Sequence, residues 1–528
     1  MSYTLIISEK PSAAKKIAQA LSDDKFQEID KYGVNCYRFK RDGKEIVVAP
    51  AVGHLFVLTE KKSGIEWTYP VFDVEWKPIF EVNKNNTWSE RYFKNIQALA
   101  KDADLFISAT DYDTEGSVIA ANILRLICKK NDGKRMKFST LTKEDLVTAY
   151  EEASDHLDFP QVEAGLARHY LDYFWGINIS RALTLALKST GGYETLSTGR
   201  VQGPTLELME NREEEIESFK PEPFWQIKLT ILKDKEAITA LHKSDKLWKK
   251  EEAEKIFVLC KGKPAIVESI TKKQTKQSPP FPFDLTTLQR ESYTNFGFSP
   301  KQTLDLAQSL YEQALISYPR TSSQKLSEKL GFKSIITKLA KNKNFTHLCE
   351  IVLKGKLKPN EGPKTDPAHP AIYPTGDKPE NLTTQQLKLY DMIAKRFLAC
   401  FGEPAIRETA SLVIDVNKEK FLSSGSRTVE ANWIDLYKPY AKFKEQTLPE
   451  FKDGEKLNVK SLDTTEDQTK PPERYTQASI LKKMESMNLG TKGTRAQILQ
   501  TLYDRNYIKE KSIVVTNLGK SIIHALKK

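Results

Sequence analysis

The stretch LFISATDYDTEG, Leu105–Gly116, decides the fold that we expect for the first part of the chain. Leu105 to Ala109 has the continuous apolar character of a buried strand, and helical spacing runs from about Ser117 to Lys129. The polar segment between them therefore lies at the carboxyl end of a strand, which is where open α/β sheets bind their ligands.

A second strand-turn-helix unit opens the chain. Tyr3 to Ile7 is an apolar run, Pro11 suits the first turn of a helix, and apolar residues from Ala14 to Leu21 continue at helical spacing. Ser8, Glu9 and Lys10 consequently lie at the end of that strand. We expect an α/β domain over residues 1–153.

The acidic residues after the second strand favour a metal site. Asp111 and Asp113 are two residues apart and can face one side, while Glu115 begins the next helix and can reach the same place. Three neighbouring carboxylates repel one another unless a cation neutralises them, and hard oxygen ligands suit Mg²⁺. An acidic loop that caps a helix is the alternative, and it accounts for any one of them. Glu9, at the end of the other strand, is a fourth candidate ligand.

The rest of the chain alternates between helical and β-rich blocks. Residues 155–220 have helical spacing, and strand-like blocks at about 224–280 and 405–465 bracket a mostly helical block. We interpret the helical block as an insertion, after which the chain returns to complete one sheet. Residues 295–318 and 488–509 share a pattern of N-x-G, a helix and an extended segment, which is the outline of a helix-turn-helix unit.

Composition narrows the class of protein. Lys and Arg number 81 against 70 Asp and Glu, and the net charge of +11 suits a polyanionic partner as well as an ordinary soluble surface. The five cysteines are scattered without a C-x-x-C pair, so neither a zinc module nor a disulfide framework is supported. No stretch approaches ~18 consecutive apolar residues, and we expect a soluble chain without a membrane partner.

The segment SYPRTSS contains a candidate nucleophile. Tyr318 is followed two residues later by Arg320, and an extended backbone points both side chains to one face. A phenol with an unperturbed pKa of ~10 is a poor nucleophile at neutral pH, and a nearby guanidinium favours the phenolate and stabilises a charged phosphoryl transition state. Packing in the core is the alternative role for this tyrosine.

These motifs together resemble those of type IA DNA topoisomerases, in particular the archaeal and topoisomerase III-like members, with an N-terminal Toprim domain. The matching segments run in order along nearly the whole chain: SEKPSAAKKIA, DYDTEG, RHYLDYFWGINISRALT, LSTGRVQGPTL, SYPRTSS, HPAIYPTG and RYTQASILKKMESMNLGTKGTRAQI.

The resemblance implies a multidomain α/β plus α+β fold. In it a Toprim α/β domain, CAP-like helix-turn-helix domains and a β-rich arch form a toroid with a central hole. The implied boundaries are 1–153 for the Toprim domain, 154–220 with 471–528 for a helical domain that binds single strands, 221–279 with 401–470 for the arch, and 280–400 for the domain with the catalytic tyrosine.

The resemblance also assigns roles to residues. Tyr318 would attack a backbone phosphate and leave a 5′-phosphotyrosine and a free 3′-hydroxyl, with Glu9 as acid and base and Lys10, Arg320 and His369 near the phosphate. Mg²⁺ would bind Glu9, Asp111, Asp113 and Glu115. The residues implied to contact DNA are Arg168, Asp172, Arg181, Arg200, Gln202 and Thr321.

The expected activity is relaxation of negatively supercoiled DNA, decatenation, or both. ATP is not needed, because exchanging one phosphodiester for another is nearly thermoneutral, and the sequence has no G-x-x-x-x-G-K-[ST] loop. We expect a cytoplasmic, nucleoid-associated monomer that acts on single-stranded DNA. The sequence leaves open whether RNA is a second substrate. A Toprim-type nuclease or primase and a non-catalytic single-strand clamp are the alternatives.

Three departures from the family pattern stand out. Ser322 occupies the place of the aspartate in Y-x-R-T-D-S, and Gly203 replaces the serine of R-V-Q-S. The chain also stops soon after TNLGKSIIHALKK, where family members usually continue. The role of the missing carboxylate therefore cannot be carried over to Ser322.

Overall fold

The computed structural model describes residues 2–61, 69–189 and 195–527. The strands of its N-terminal part are β1 Tyr3–Ser8, β2 Gln27–Lys31, β3 Val34–Arg41, β4 Lys44–Pro50, β5 Phe56–Glu60, β6 Val74–Pro78, β7 Ala103–Ala109 and β8 Lys134–Arg135. Six of them form a sheet with the order β2-β3-β4-β1-β7-β8, in which β1 is parallel to both β4 and β7. Strands β5 and β6 pair separately.

Helices cover this sheet, and the α/β character expected for the first 150 or so residues is confirmed. The helix after β7 begins at Thr114, three residues earlier than the sequence indicated, because the Asp113 side chain caps it by accepting a hydrogen bond from the Gly116 N–H at 2.8 Å. The helices are α1 Pro11–Leu21, α2 Ile79–Val82, α3 Glu90–Ala100, α4 Thr114–Asn122, which continues as a π-helical turn Ile123–Ile127, and α5 Lys143–Glu151.

The register between β1 and β7 positions the candidate site. Ser8 pairs with Ala109, so the chain leaves both strands at the same edge of the sheet. All six residues of β1 are buried, which explains its nearly continuous apolar sequence. Glu9 and the D-x-D-x-E segment therefore follow neighbouring strand ends, as the sequence predicted.

In the rest of the described chain, twelve α-helices accompany six longer strands and one short hairpin. The helices are α6 Phe159–Ser189, α7 Gln202–Glu217, α8 Lys250–Cys260, α9 Leu285–Phe296, α10 Pro300–Glu312, α11 Phe332–Leu339, α12 Thr346–Lys354, α13 Thr384–Ala399, α14 Trp433–Leu436, α15 Gln477–Ser486, α16 Arg495–Asp504 and α17 Asn517–Lys527. The strands are β9 Pro223–Lys233, β10 Glu236–His242, β11 Ala265–Gln277, β12 Ala405–Val416, β13 Glu419–Glu430, β14 Lys456–Gln468, β15 Ile508–Lys509 and β16 Val514–Val515.

Two distant stretches of chain close one barrel. Strands β9 to β11 and β12 to β14 join in the order β10-β13-β12-β11-β14-β9 around a core that includes Ile227, Val267, Ile414 and Phe421. The helical segment between β11 and β12 contains Tyr318. The domain boundaries themselves stay a prediction.

Two pairs of helices match the repeated sequence pattern. Each pair has a glycine with positive φ between its two helices. Gly297, with φ 71°, lies between α9 and α10, and Gly490, with φ 66°, lies between α15 and α16. A left-handed backbone at these turns favours glycine. The segment with Tyr318 follows the first pair, and the β15–β16 hairpin follows the second.

The segment with Tyr318 shares one hydrophobic core with the N-terminal sheet. Ile6 and Ile17 from the first unit belong to the same buried cluster as Leu310, Ile316 and Tyr318. This core holds the tyrosine against the ends of β1 and β7. Among the described residues, no helix has the length and apolarity that crossing a membrane requires.

Candidate active site

A cluster of carboxylates, buried at Asp111 and partly buried at Glu9 and Asp113, lies at the ends of β1 and β7. The Asp111 N–H donates to Glu9 Oε2 at 3.3 Å, and Asp111 is only 6% exposed. Burial, reinforced by the neighbouring carboxylates, raises the pKa of Glu9 well above its usual range and that of Asp111 to about 6. Crowded, desolvated oxygen donors of this kind fit a hard dication such as Mg²⁺.

Tyr318 faces this cluster directly. Its hydroxyl donates to Asp113 Oδ2 at 2.6 Å, and its backbone N–H donates to the Ser139 carbonyl at 2.8 Å. Arg320 Nη1 lies 3.9 Å from the same Asp113 oxygen. Burial and the carboxylates raise the pKa of Tyr318 well above its usual value, while Arg320 lowers it. The phenol is therefore protonated in this conformation.

A second tyrosine also donates a hydrogen bond to the carboxylate cluster. Tyr311, on α10, donates to Asp111 Oδ1 at 3.1 Å, and its ring lies edge-on to that of Tyr318 with the centroids 5.2 Å apart. Tyr311 was not predicted from the sequence as a site residue, because its position fits the buried face of a helix. Each aspartate of the D-x-D pair thus accepts a hydrogen bond from one tyrosine.

His369 completes the wall around Tyr318. Its Nε2 lies 2.9 Å from the Tyr112 carbonyl, its Nδ1 lies 3.0 Å from Ser139 Oγ, and its ring centroid is 4.6 Å from that of Tyr318. Because a carbonyl only accepts, the proton is on Nε2 and Nδ1 accepts from the serine. Burial lowers the pKa of His369 to about 4, so the imidazole is neutral at neutral pH.

Ser322, which replaces the family aspartate, binds a carboxylate from another segment. Its N–H and its hydroxyl donate to Asp366 Oδ2 at 3.0 and 2.9 Å, and Lys492 forms an ion pair with the same oxygen. These donors lower the pKa of Asp366 to about 2 against the opposing effect of burial. Asp366 and Lys492 were not identified from the sequence.

Glu115 has different partners from the two aspartates. Arg168 pairs with its Oε1, while Nε2 of His54 and of His169 lie 2.9 and 3.1 Å from its Oε2. These cationic and hydrogen-bonding partners outweigh burial and hold the pKa of Glu115 well below its usual range. His54 was predictable by its position, because it follows the end of β4, which pairs with β1.

An open cleft of about 630 Å³ runs beside the tyrosine. Arg200 Nε lies 3.0 Å from Asp172 Oδ1, and the Gln202 amide oxygen accepts from Arg505 at 2.6 Å. The lining residues include Asp113, Glu115, Arg168, Asp172, Arg200, Gln202, Arg320, Lys492 and Gln497. Four of the six predicted DNA contacts thus lie together on this cleft.

The other predicted residues lie elsewhere. Arg181 forms a bidentate ion pair with Glu60, at 2.7 and 3.0 Å. Thr321 is fully buried, and its hydroxyl donates to the His369 carbonyl at 3.3 Å. Lys10 Nζ pairs with Glu312 on α10 at 2.5 Å. Their roles toward DNA stay predictions.

Both parts of the chain match known protein families. Residues 4–141 match the Toprim domain, a metal-binding domain, and residues 156–528 match the DNA topoisomerase family. DNA topoisomerase 1 of Pyrococcus horikoshii is 49% identical, with the match covering 99% of this chain and 77% of that protein. DNA topoisomerase 1 of Methanocaldococcus jannaschii is 46% identical, covering 99% and 68%.

A solved structure supports the same assignment. Full-length topoisomerase I from Thermotoga maritima superposes with a TM-score of 0.73 at 26% identity, over 99% of this chain and 82% of that one. DNA topoisomerase 3 of Bacillus licheniformis is 30% identical, with 99% of this chain and 75% of that protein covered. As its sequence motifs predicted, the chain belongs to the type IA DNA topoisomerase family.

Proposed function

We propose that the protein breaks and rejoins one strand of DNA through Tyr318, and that the strand binds in the cleft beside it. The observation that carries this proposal is the contact of the Tyr318 hydroxyl with Asp113 at 2.6 Å, with the Arg320 guanidinium at the same carboxylate. A tyrosine placed between an acidic metal-binding cluster and a cation suits attack on phosphorus better than it suits packing.

The reaction balances within these residues. The Tyr318 oxygen forms a bond to phosphorus as the bond from phosphorus to the 3′-oxygen breaks, which leaves a 5′-phosphotyrosine. The phenol proton passes to Asp113, which already accepts its hydrogen bond. Glu9, whose raised pKa keeps it protonated, gives a proton to the leaving 3′-oxygen and takes it back on rejoining.

Two further features support phosphate chemistry at this place. Arg320 is charged and partly buried, and among the described residues its buried Nε has no hydrogen-bond partner, so a phosphate oxygen that enters once the site opens would satisfy it. Mg²⁺ would be held by Asp111 and Asp113, with Glu9 beside them as the proton donor, and when bound it would offset the negative charge of the scissile phosphate. Glu115 is the predicted ligand with the weakest support, since Arg168 and two histidines engage its carboxylate.

The covered state of the nucleophile implies that the site opens. Tyr318 is 1% exposed, and the segment that contains it binds the strand ends through Tyr318–Asp113, Tyr311–Asp111 and Lys10–Glu312. A phosphate cannot reach Tyr318 until these contacts part. We infer that this contact is the gate through which a second strand passes within a toroid, and that opening is a domain motion.

The test is the variant Tyr318→Phe, with Tyr390→Phe as the matched control, since Tyr390 is an equally buried tyrosine on α13 away from the carboxylates. We expect Tyr318→Phe to bind single-stranded DNA normally but to lose both relaxation of negatively supercoiled plasmid and the 5′-linked covalent adduct. If the wild-type protein instead hydrolyses DNA strands without forming an adduct, it is a nuclease. Relaxation that persists in Tyr318→Phe would refute the assignment.

The preferred ion, the monomeric state, association with the nucleoid and cleavage of RNA stay predictions. The same adduct assay answers two of these questions when Mn²⁺ or Ca²⁺ replaces Mg²⁺ and when an RNA oligonucleotide replaces DNA. Adduct formation on RNA would extend the substrate range to both nucleic acids.

A further inference from the structure

Two histidines and a glutamate from three separate segments converge next to the cleft. His54 follows β4, Glu115 lies in the first turn of α4, and His169 lies within α6. One ligand atom from each lies within 4.8 Å of the other two. Nε2 of each histidine is directed at the same oxygen, Glu115 Oε2, at 2.9 and 3.1 Å.

The distances suit a metal ion. In a tetrahedral site with bonds of about 2.0–2.1 Å to nitrogen and oxygen, neighbouring ligand atoms are about 3.3 Å apart. The two observed separations from Glu115 Oε2 differ from that value by only a few tenths of an ångström. Arg168 occupies the other carboxylate oxygen, so Glu115 has one oxygen to offer to an ion.

The donor set also indicates which class of ion. Two imidazole nitrogens and one carboxylate oxygen are ligands typical of Zn²⁺ sites that keep an open position, whereas Mg²⁺ prefers oxygen ligands alone. The three side chains are each about a quarter exposed, at 27%, 25% and 26%, so an ion can enter and water can take the fourth position. The Glu9, Asp111 and Asp113 set, by contrast, consists only of oxygens.

We propose that His54, Glu115 and His169 form a binding site for a transition-metal dication of the Zn²⁺ class, distinct from the oxygen ligands expected to hold Mg²⁺. The bound ion ties the loop after β4 and the helices α4 and α6 together. It also adds positive charge to the wall of the cleft that Glu115 and Arg168 line. This site does not depend on the chemistry proposed for Tyr318.

The test uses Co²⁺ as a spectroscopic substitute for Zn²⁺ on the full chain, freed of metal and kept in an excess of Mg²⁺. We expect visible d–d absorption of the intensity typical of four- or five-coordinate Co²⁺, removed by added Zn²⁺. His54→Gln and His169→Gln should each weaken binding by more than about 100-fold, since loss of an outer-sphere partner alone costs about 10–100-fold. His169→Cys should restore binding with a thiolate charge-transfer band.

Two controls separate this site from others. His156→Gln changes an exposed histidine of the same region that pairs with Asp132, and Asp111→Asn removes a ligand from the oxygen set. Both variants should keep the Co²⁺ spectrum. The proposal is overturned if wild-type protein gives only the weak spectrum of six-coordinate Co²⁺, if His54→Gln and His169→Gln bind as tightly as wild type, or if Asp111→Asn abolishes the signal.

Because the readout is absorption, it is independent of strand cleavage. If wild-type protein relaxes DNA but gives no such Co²⁺ signal, the metal site alone is refuted. If Tyr318→Phe keeps the signal, the metal site stands whatever that variant does to DNA. Unfolding of the wild-type protein should also shift upward in temperature with Zn²⁺, and this shift should vanish in His169→Gln.

Discussion

Asp366 accepts hydrogen bonds from both the backbone N–H and the hydroxyl of Ser322, at 3.0 and 2.9 Å. Ser322 stands where the family pattern often has an aspartate, two residues after Arg320. A carboxylate is thus present next to the tyrosine segment, but it belongs to residue 366 and reaches Ser322 across the fold. Lys492 balances its charge.

The first prediction concerns this replacement carboxylate. Asp366→Asn should destabilise the protein by about 1–3 kcal/mol, because the hydrogen bonds from Ser322 lose their charge assistance and the ion pair with Lys492 is lost. Ser322→Ala should cost about 1 kcal/mol, and the double variant should cost less than the sum because the two share one interaction. Denaturant unfolding of the four proteins measures the coupling. Strict additivity would show that the contact contributes nothing.

The second prediction concerns Arg320. Arg320→Ala should lower the rate of adduct formation by about 100- to 1,000-fold, the usual effect of removing one group that stabilises transition-state charge. Arg320→Lys should recover only part of it, since a single ammonium cannot contact Asp113 and a phosphate with the geometry of a guanidinium. Single-turnover cleavage of an oligonucleotide measures both. Arg505→Ala, which removes the partner of the Gln202 amide oxygen, should affect DNA affinity more than rate.

The third prediction concerns metal binding and pH. The pKa of Asp111 is raised by burial, and the Tyr311 hydroxyl opposes this rise by donating to its carboxylate. Protons therefore compete with Mg²⁺ more strongly as pH falls from about 8 to about 5. Tyr311→Phe should raise the pKa of Asp111 further and move that competition to higher pH. The concentration of Mg²⁺ for half-maximal cleavage, measured across this range, should rise earlier in the variant than in wild type.

The fourth prediction concerns His369 and stability. Because the folded protein holds His369 neutral with a pKa of about 4 against 6.5 when unfolded, protons bind the unfolded chain first as pH falls. This site therefore costs no stability above about pH 6.5, and destabilises the fold progressively between that pH and about pH 4, by about 3 kcal/mol in total.

His369→Gln isolates this contribution, because other buried groups such as Glu9 titrate in the opposite sense and are common to both proteins. The difference in unfolding free energy between variant and wild type should shift in favour of the variant as pH is lowered through this window. A difference that does not change with pH would mean that the imidazole is not held neutral.

Local sequence patterns were sufficient to predict much of the active centre. The apolar run before DYDTEG and the similar run before Glu9 predicted two strand ends, and parallel pairing of β1 with β7 placed them at one edge. Tyr318 and Arg320 were predictable as a pair because extended backbone directs alternate residues to the same side. Both reach Asp113.

Other members of the site carried no such local signal. Tyr311 fits the buried face of a helix, Asp366 lies in a loop, and Lys492 lies in the turn before α16, so each looks ordinary in its own segment. Glu115 was expected beside the aspartates, but the side chain instead binds Arg168, His54 and His169, because α6 passes the first turn of α4.

The sequence by itself determined the strand ends, the acidic cluster and the family, since these depend on residue types at short spacing. Only the tertiary structure decided that Tyr318 contacts Asp113 rather than another carboxylate. It also decided that Asp366 accepts hydrogen bonds from Ser322, and that two histidines lie next to Glu115. Such contacts join residues 44 to 205 positions apart, and they depend on how separate elements pack around a shared core, which no local spacing encodes.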